Sequence, residues 1–135
     1  MATGKEQLTL AGHEDRLSGV AFAPDEKSVA SIAADGSVKL WDLATGKERL
    51  ALAGHTLMAT SIAFHPDGTQ LATGSGAVAT IQGEVKLWDI VTGKELATIR
   101  DQSGSVFSLR YSPDGKLLAV ASGDNKVRLW ELGGK

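Results

Sequence analysis

The sequence predicts an all-β chain built from three copies of a short antiparallel sheet of four strands. A fixed repeat, a proline turn inside each repeat and strand chemistry between the turns predict it. The stretches Ala2-Thr3-Gly4-Lys5-Glu6, Ala44-Thr45-Gly46-Lys47-Glu48 and Val91-Thr92-Gly93-Lys94-Glu95 are copies, and Gly134-Lys135 opens a fourth. Their glycines stand at 4, 46, 93 and 134, so the period is 42, 47 and 41 residues and the repeats run over about 4–45, 46–92 and 93–135. Each repeat then carries Pro24-Asp25, Pro66-Asp67-Gly68 or Pro113-Asp114-Gly115. There the proline ring supplies the fixed φ that the turn position requires.

In the first repeat the strands are expected at residues 6–10, 17–23, 28–33 and 37–43. The runs between turns are short, many alternate apolar with polar residues, and none shows a helical period of useful length. Leu71-Ala72-Thr73 and Leu118-Ala119-Val120 match Val29-Ala30-Ser31 on the third of these strands. The fourth ends each repeat as Val-Lys-Leu-Trp-Asp (38–42 and 85–89) or Val-Arg-Leu-Trp-Glu (127–131). It is apolar on both faces, with Val38 and Leu40 on one and Trp41 on the other. A sheet with two buried faces must lie between neighbours, as stacked propeller blades do.

Composition narrows the function. With 14 Lys and Arg against 16 Asp and Glu the formal charge is −2, which gives no basic excess for nucleic acid or an anionic membrane. The chain has no cysteine, so disulfides, thiolate metal sites and cysteine nucleophiles are all excluded. No stretch approaches the 18 or so apolar residues of a membrane span, and the start lacks the apolar core of a signal peptide. The expectation is a soluble, cytoplasmic chain with no cofactor and no metal. It is also not an enzyme, because the spacing places neither a nucleophile–base pair nor a carboxylate pair.

Gly12-His13 and Gly54-His55 near the start of two repeats, with Trp41-Asp42 and Trp88-Asp89 at their ends, resemble the WD-repeat β-propeller family over essentially the whole chain. The resemblance implies three four-stranded blades, each strand sequence starting on the outer strand of the preceding blade. It also implies a buried hydrogen-bond chain in each blade, from a His through a Ser or Thr and an Asp to the Trp indole. His13, Ser31, Asp35 and Trp41 make the full set. The second repeat keeps His55, Thr73 and Trp88 but has Gln82 at the Asp position. The third keeps Asp124 and Trp130, with Gln102 in place of the His and Val120 in place of the hydroxyl. That blade is expected to rest mainly on apolar packing.

Other motifs read as structure. His13 beside Glu14 and Asp15 falls at the repeated Gly-His position, and His65 simply precedes a turn, so no metal site follows. Residues 74–79 fit G-x-G-x-x-A, yet a strand at 84–90 follows where a dinucleotide site needs a helix. Thr3, Thr45 and Thr92, each three residues before a Glu, read as turn chemistry and not as helix caps. Lys39, Lys86 and Arg128 are expected to extend to a solvated edge. The second repeat's extra residues fall in 76–83, a loop whose Ala77, Val78 and Ile81 are candidates for a contact.

Three blades cannot close a ring that typically needs four to eight. The first strand, with Lys5, Glu6, Gln7, Leu8 and Leu10, is expected to complete the last blade of another copy at Val127, Leu129 and Glu131. Such a head-to-tail contact closes at nine blades as a homotrimer, the favoured count, or six as a homodimer. The function expected is a self-assembling scaffold. Its loops at Glu14, Asp15, Arg16, Thr56, Leu57, Met58 and Gln102, with the 76–83 loop, would present to a protein or peptide. The alternative is a fragment of a longer repeat array, or an engineered repeat unit, with no activity beyond propeller assembly.

Overall fold

In the computed structural model, residues 4–52, 54–76, 83–100 and 104–132 are described. They contain eleven strands and no helix among the described residues. Sheet 1 holds β1 (Leu17–Phe22), β2 (Ser28–Ala33), β3 (Val38–Asp42) and β4 (Lys47–Leu52) in chain order. Sheet 2 repeats the order with β5 (Ala59–Phe64), β6 (Gln70–Ser75), β7 (Val85–Asp89) and β8 (Glu95–Ile99). Among the described residues sheet 3 has β9 (Val106–Tyr111), β10 (Leu117–Ser122) and β11 (Val127–Glu131). Every neighbouring pair is antiparallel.

The local chemistry explains the connections. In the turns before β2, β6 and β10 the Asp carboxylate folds back on its own backbone, accepting from the N–H of Lys27 at 2.9 Å, Thr69 at 2.9 Å and Lys116 at 3.0 Å. Each of these turns needs one left-handed residue, supplied by Gly68 and Gly115 and, unusually, by Glu26 at φ 62°. The Asp of each Trp-Asp pair starts the next turn. Asp42 accepts from the Ala44 N–H, and Asp89 from the Val91 N–H, both at 2.8 Å. Gly46 and Gly93 complete these turns at φ 73° and 79° and send the chain into β4 and β8. The sequence repeat and the sheet are therefore offset by one strand, since β4 belongs to sheet 1 but opens the second repeat.

Sheet 2 packs between the other two. Ile32, Val38, Leu40 and Leu52 of sheet 1 meet Ala59, Leu71, Trp88 and Ile90 of sheet 2 in one core. Ala72, Val85 and Leu87 on the opposite face of sheet 2 meet Val106, Leu109, Leu118 and Val120 of sheet 3 in the other. Sheet 2 thus uses one face for the sheet before it and one for the sheet after it, whereas sheets 1 and 3 each cover one face in this way.

One expected strand is absent. Residues 6–10 form no strand and lie almost wholly exposed. A strand needs a ladder partner, and the outer edge of β3 is already taken by β4 while β11 belongs to sheet 3. The outer edge of β11 has no partner strand among the described residues.

Candidate functional site

In sheet 1 the indole of Trp41 donates to Ser31 Oγ at 2.8 Å, and Ser31 Oγ lies 2.6 Å from His13 Nε2. His13 Nδ1 is 2.9 Å from Ser37 Oγ, which in turn donates to Asp35 Oδ1 at 2.6 Å. Ser31 accepts the indole N–H, so its own O–H must donate to Nε2, which leaves the imidazole proton on Nδ1 to donate to Ser37. The chain runs in one direction from indole to carboxylate, and Ser37 is the member the sequence did not reveal. Burial lowers the His13 pKa, so the neutral ring this wiring needs is the favoured form. The hydroxyl and backbone N–H of Ser37 hold the Asp35 carboxyl below its ordinary value.

Sheet 2 builds the same line from different residues. Trp88 Nε1 donates to Thr73 Oγ1 at 2.9 Å, and Thr73 Oγ1 lies 2.7 Å from His55 Nε2. The other ring nitrogen faces Glu84 Oε2 at 3.5 Å; Glu84 precedes Val85 as Ser37 precedes Val38, so a carboxylate stands where sheet 1 has the Ser37 hydroxyl. Gln82, the residue aligned with Asp35, lies outside the described residues. Glu84 also pairs with Arg100 at 2.9 Å and faces Lys86 at 3.9 Å. Burial pushes the His55 pKa down to about 4 against the pull of Glu84, and the ring is neutral near pH 7.

In sheet 3 the line is broken. Val120 fills the hydroxyl position fully buried, and the Trp130 indole N–H is buried with no hydrogen-bond partner among the described residues. Asp124 turns to Arg128, whose Nη2 lies 2.6 Å away, and also accepts from the Ser122 hydroxyl. Gln102 lies outside the described residues.

The basic residues do not all extend to a solvated edge as expected. Lys86 is buried and Lys39 half-buried, paired at 2.9 Å with Glu95 and Glu48 respectively. Both acids come from the Thr-Gly-Lys-Glu segments, which now prove to be turns that deliver an acid opposite the Lys. Thr45 and Thr92 accept the N–H of Lys47 and Lys94 at 3.2 Å within those turns. His65 also does more than precede a turn. Its Nε2 sits 3.0 Å from the Gly115 carbonyl and its ring meets Tyr111 edge-on at 4.9 Å, tying sheet 2 to sheet 3.

Of the candidate loop residues, Glu14, Asp15, Arg16 and Thr56 are exposed and Leu57 and Met58 half-buried. Their loops are pinned by backbone bonds, Ala34 N–H to Arg16 O at 2.8 Å and His55 N–H to Gly36 O at 2.9 Å. Ala77, Val78 and Ile81 lie outside the described residues. Gly74 is β6 backbone packed under Val106, and Gly76, just past the end of that strand, lies against Ser105. Among the described residues there is no cluster of three or more potential metal ligands, and no helix is long and apolar enough to cross a membrane.

Three antiparallel sheets stacked face to face, two of them four-stranded and wired from indole to hydroxyl to imidazole, define the class as a propeller-blade repeat protein. The model of the WD domain, G-beta repeat, matches residues 4–42, 46–89 and 93–131, and the chain belongs to the WD-repeat family. It is 40% identical over 42 residues to coronin-7 of Rattus norvegicus, covering 31% of this chain and 5% of the relative. It is also 40% identical over 42 residues to a WD repeat-containing protein of Synechocystis sp., covering 30% of this chain and 12% of the relative. The chain thus spans a small part of the curated relatives it matches.

Proposed function

We propose that the chain is a non-catalytic interaction scaffold that joins head to tail with further copies of itself into a closed propeller, nine blades as a trimer, with six as a dimer next. The carrying observation is that its two open faces correspond to the two halves of the joint it makes twice internally. Val38 and Leu40 are 0% exposed, Val85 0% and Leu87 8%, yet their repeat equivalents Val127 and Leu129 are 69% and 65% exposed. On the opposite side Leu109 is 2% exposed, whereas its equivalent Val20 is 66%. Apolar faces of this kind favour association.

The N-terminal segment supports an exchanged outer strand. Leu8 Cδ1 lies 3.2 Å from where Gly46 would carry a Cβ, and its equivalent Leu50 lies 3.6 Å from the same point on Gly93. Thr9 bonds Glu6 as Thr98 bonds Glu95 within β8. In sheets 1 and 2 the Trp strand pairs Trp41 with Glu48, Leu40 with Leu50 and Val38 with Leu52, and likewise Trp88 with Glu95 and Val85 with Ile99. By the repeat, Glu6 falls opposite Trp130, Leu8 opposite Leu129 and Leu10 opposite Val127 of another copy, flanked by Lys5, Gln7 and Glu131. A closed ring would present the loops at Glu14 to Arg16 and Thr56 to Met58 to a protein or peptide.

Light scattering of the 135-residue chain at several dilutions tests the assembly. A mass of three or two times 14.1 kDa is expected, and removing residues 1–10 should abolish it. A stable monomer refutes it. The second reading, a segment of a longer repeat array, is favoured by the 5% and 12% of its relatives that the chain covers, and predicts association without fixed stoichiometry.

A further inference from the structure

The two internal joints are not chemically identical, and their differences compensate. At the first, the large Ile32 on the second strand of sheet 1 is fully buried in one core with the small Ala59, which opens sheet 2. At the second, the sizes are reversed. Gly74 stands at the Ile32 position, and a Cβ there would lie 2.5 Å from Cγ1 of Val106, the residue that opens sheet 3. A large residue on one side is matched by a small one on the other, as close packing across a fixed gap requires.

The same two positions at the open ends are Ala121 on β10 and Leu17 at the start of β1. Ala121 is half-buried and Leu17 is 54% exposed. They form a third small–large pair, split between opposite ends of the molecule.

A neighbouring position differs in the same sense. Ser18 donates to the Ala59 carbonyl and Thr60 to the Val106 carbonyl, each at 2.5 Å, so both internal joints carry a hydroxyl clamp. The equivalent residue on β9 is Phe107, which has no donor and is 60% exposed. By the repeat, its counterpart across a joint is Leu17.

We propose that the contact between copies is a third joint of this series, in which Leu17 of one copy seats over Ala121 of another and Phe107 covers Leu17 in place of the hydroxyl clamp. The occupant of the open face is a second copy, because the pair matches in size and apolar character and continues a packing pattern the chain builds twice. This inference rests on the head-to-tail reading above and adds the residues that define its fit.

The experiment compares the wild-type chain with Ala121→Leu, Leu17→Ala and the double variant by light scattering over a dilution series, with far-ultraviolet circular dichroism as a check of fold. Both positions are accessible in the single chain, so neither change strains an internal joint. Ala121→Leu should raise the concentration at which the oligomer dissociates by at least about tenfold through overpacking, and Leu17→Ala on that background should recover most of the loss. Leu17→Asp, at an exposed position, should break the oligomer with an unchanged spectrum. The inference is overturned if the wild type assembles but Ala121→Leu assembles as tightly, or if Leu17→Ala gives no recovery. A wild type that stays monomeric at every concentration overturns the head-to-tail reading itself.

Discussion

Replacing Trp88 by Phe removes an indole that is wholly buried and whose N–H donates to Thr73 at 2.9 Å, whereas the same change at Trp130 removes an N–H that is buried without a partner among the described residues. The covalent change is the same in both, so the difference between them reports the polar contribution plus a smaller difference in apolar burial. Losing a made hydrogen bond costs about 0.5–1.5 kcal/mol, and removing an unsatisfied buried donor returns about 1–3 kcal/mol. Trp88→Phe should therefore destabilise by about 1.5–4.5 kcal/mol more than Trp130→Phe. Trp130 is also less buried, which enlarges the gap. Urea unfolding followed by circular dichroism reads this directly, at one fixed protein concentration because association would shift the midpoint. Introducing Val120→Thr supplies the missing acceptor, and Trp130→Phe on that background should cost about 1 kcal/mol more than it does alone. Equal losses at Trp88 and Trp130 would falsify the assignment of a broken chain in sheet 3.

Two further outcomes are expected. His55 has its folded pKa lowered to about 4 from 6.5, so the unfolded chain binds the extra proton between those values; the stability present above pH 6.5 falls as the pH drops toward 4. The loss at pH 5 should be about 2 kcal/mol, and a urea midpoint unchanged from pH 7.5 to pH 5 would refute the buried neutral ring. Gly36→Ala should cost at least about 2 kcal/mol, because φ is 89° and the new Cβ would stand 2.1 Å from the His55 carbonyl. A thermal midpoint equal to that of the wild type would show that the contact between the β2–β3 turn and the His55 loop is not made.

Much of the blade was readable because its chemistry is local. The Pro-Asp turns, the Asp that opens the Trp-Asp turn and the glycines at 46 and 93 each act within a few residues of themselves. Side chains acting across space were not readable. Ser37 joins the first chain only because the left-handed turn at Gly36 brings its hydroxyl under His13. Glu84 reaches His55 from just beyond an insertion that shifts the alignment, and the one available signal was an acid immediately after that insertion. Lys86 read as an exposed cation, and its burial became visible only when β8 delivered Glu95 beside it.

By itself, the sequence determined the period, the strands from β1 to β11 and the family, because turn chemistry and apolar alternation are properties of neighbouring residues. Only the tertiary structure decided which apolar faces are covered. Val38, Val85 and Val127 are the same residue in the same motif, yet the first two are sealed at 0% exposure and the third is open at 69%. Burial depends on whether another sheet stands opposite, and among the described residues the last of the three positions has none.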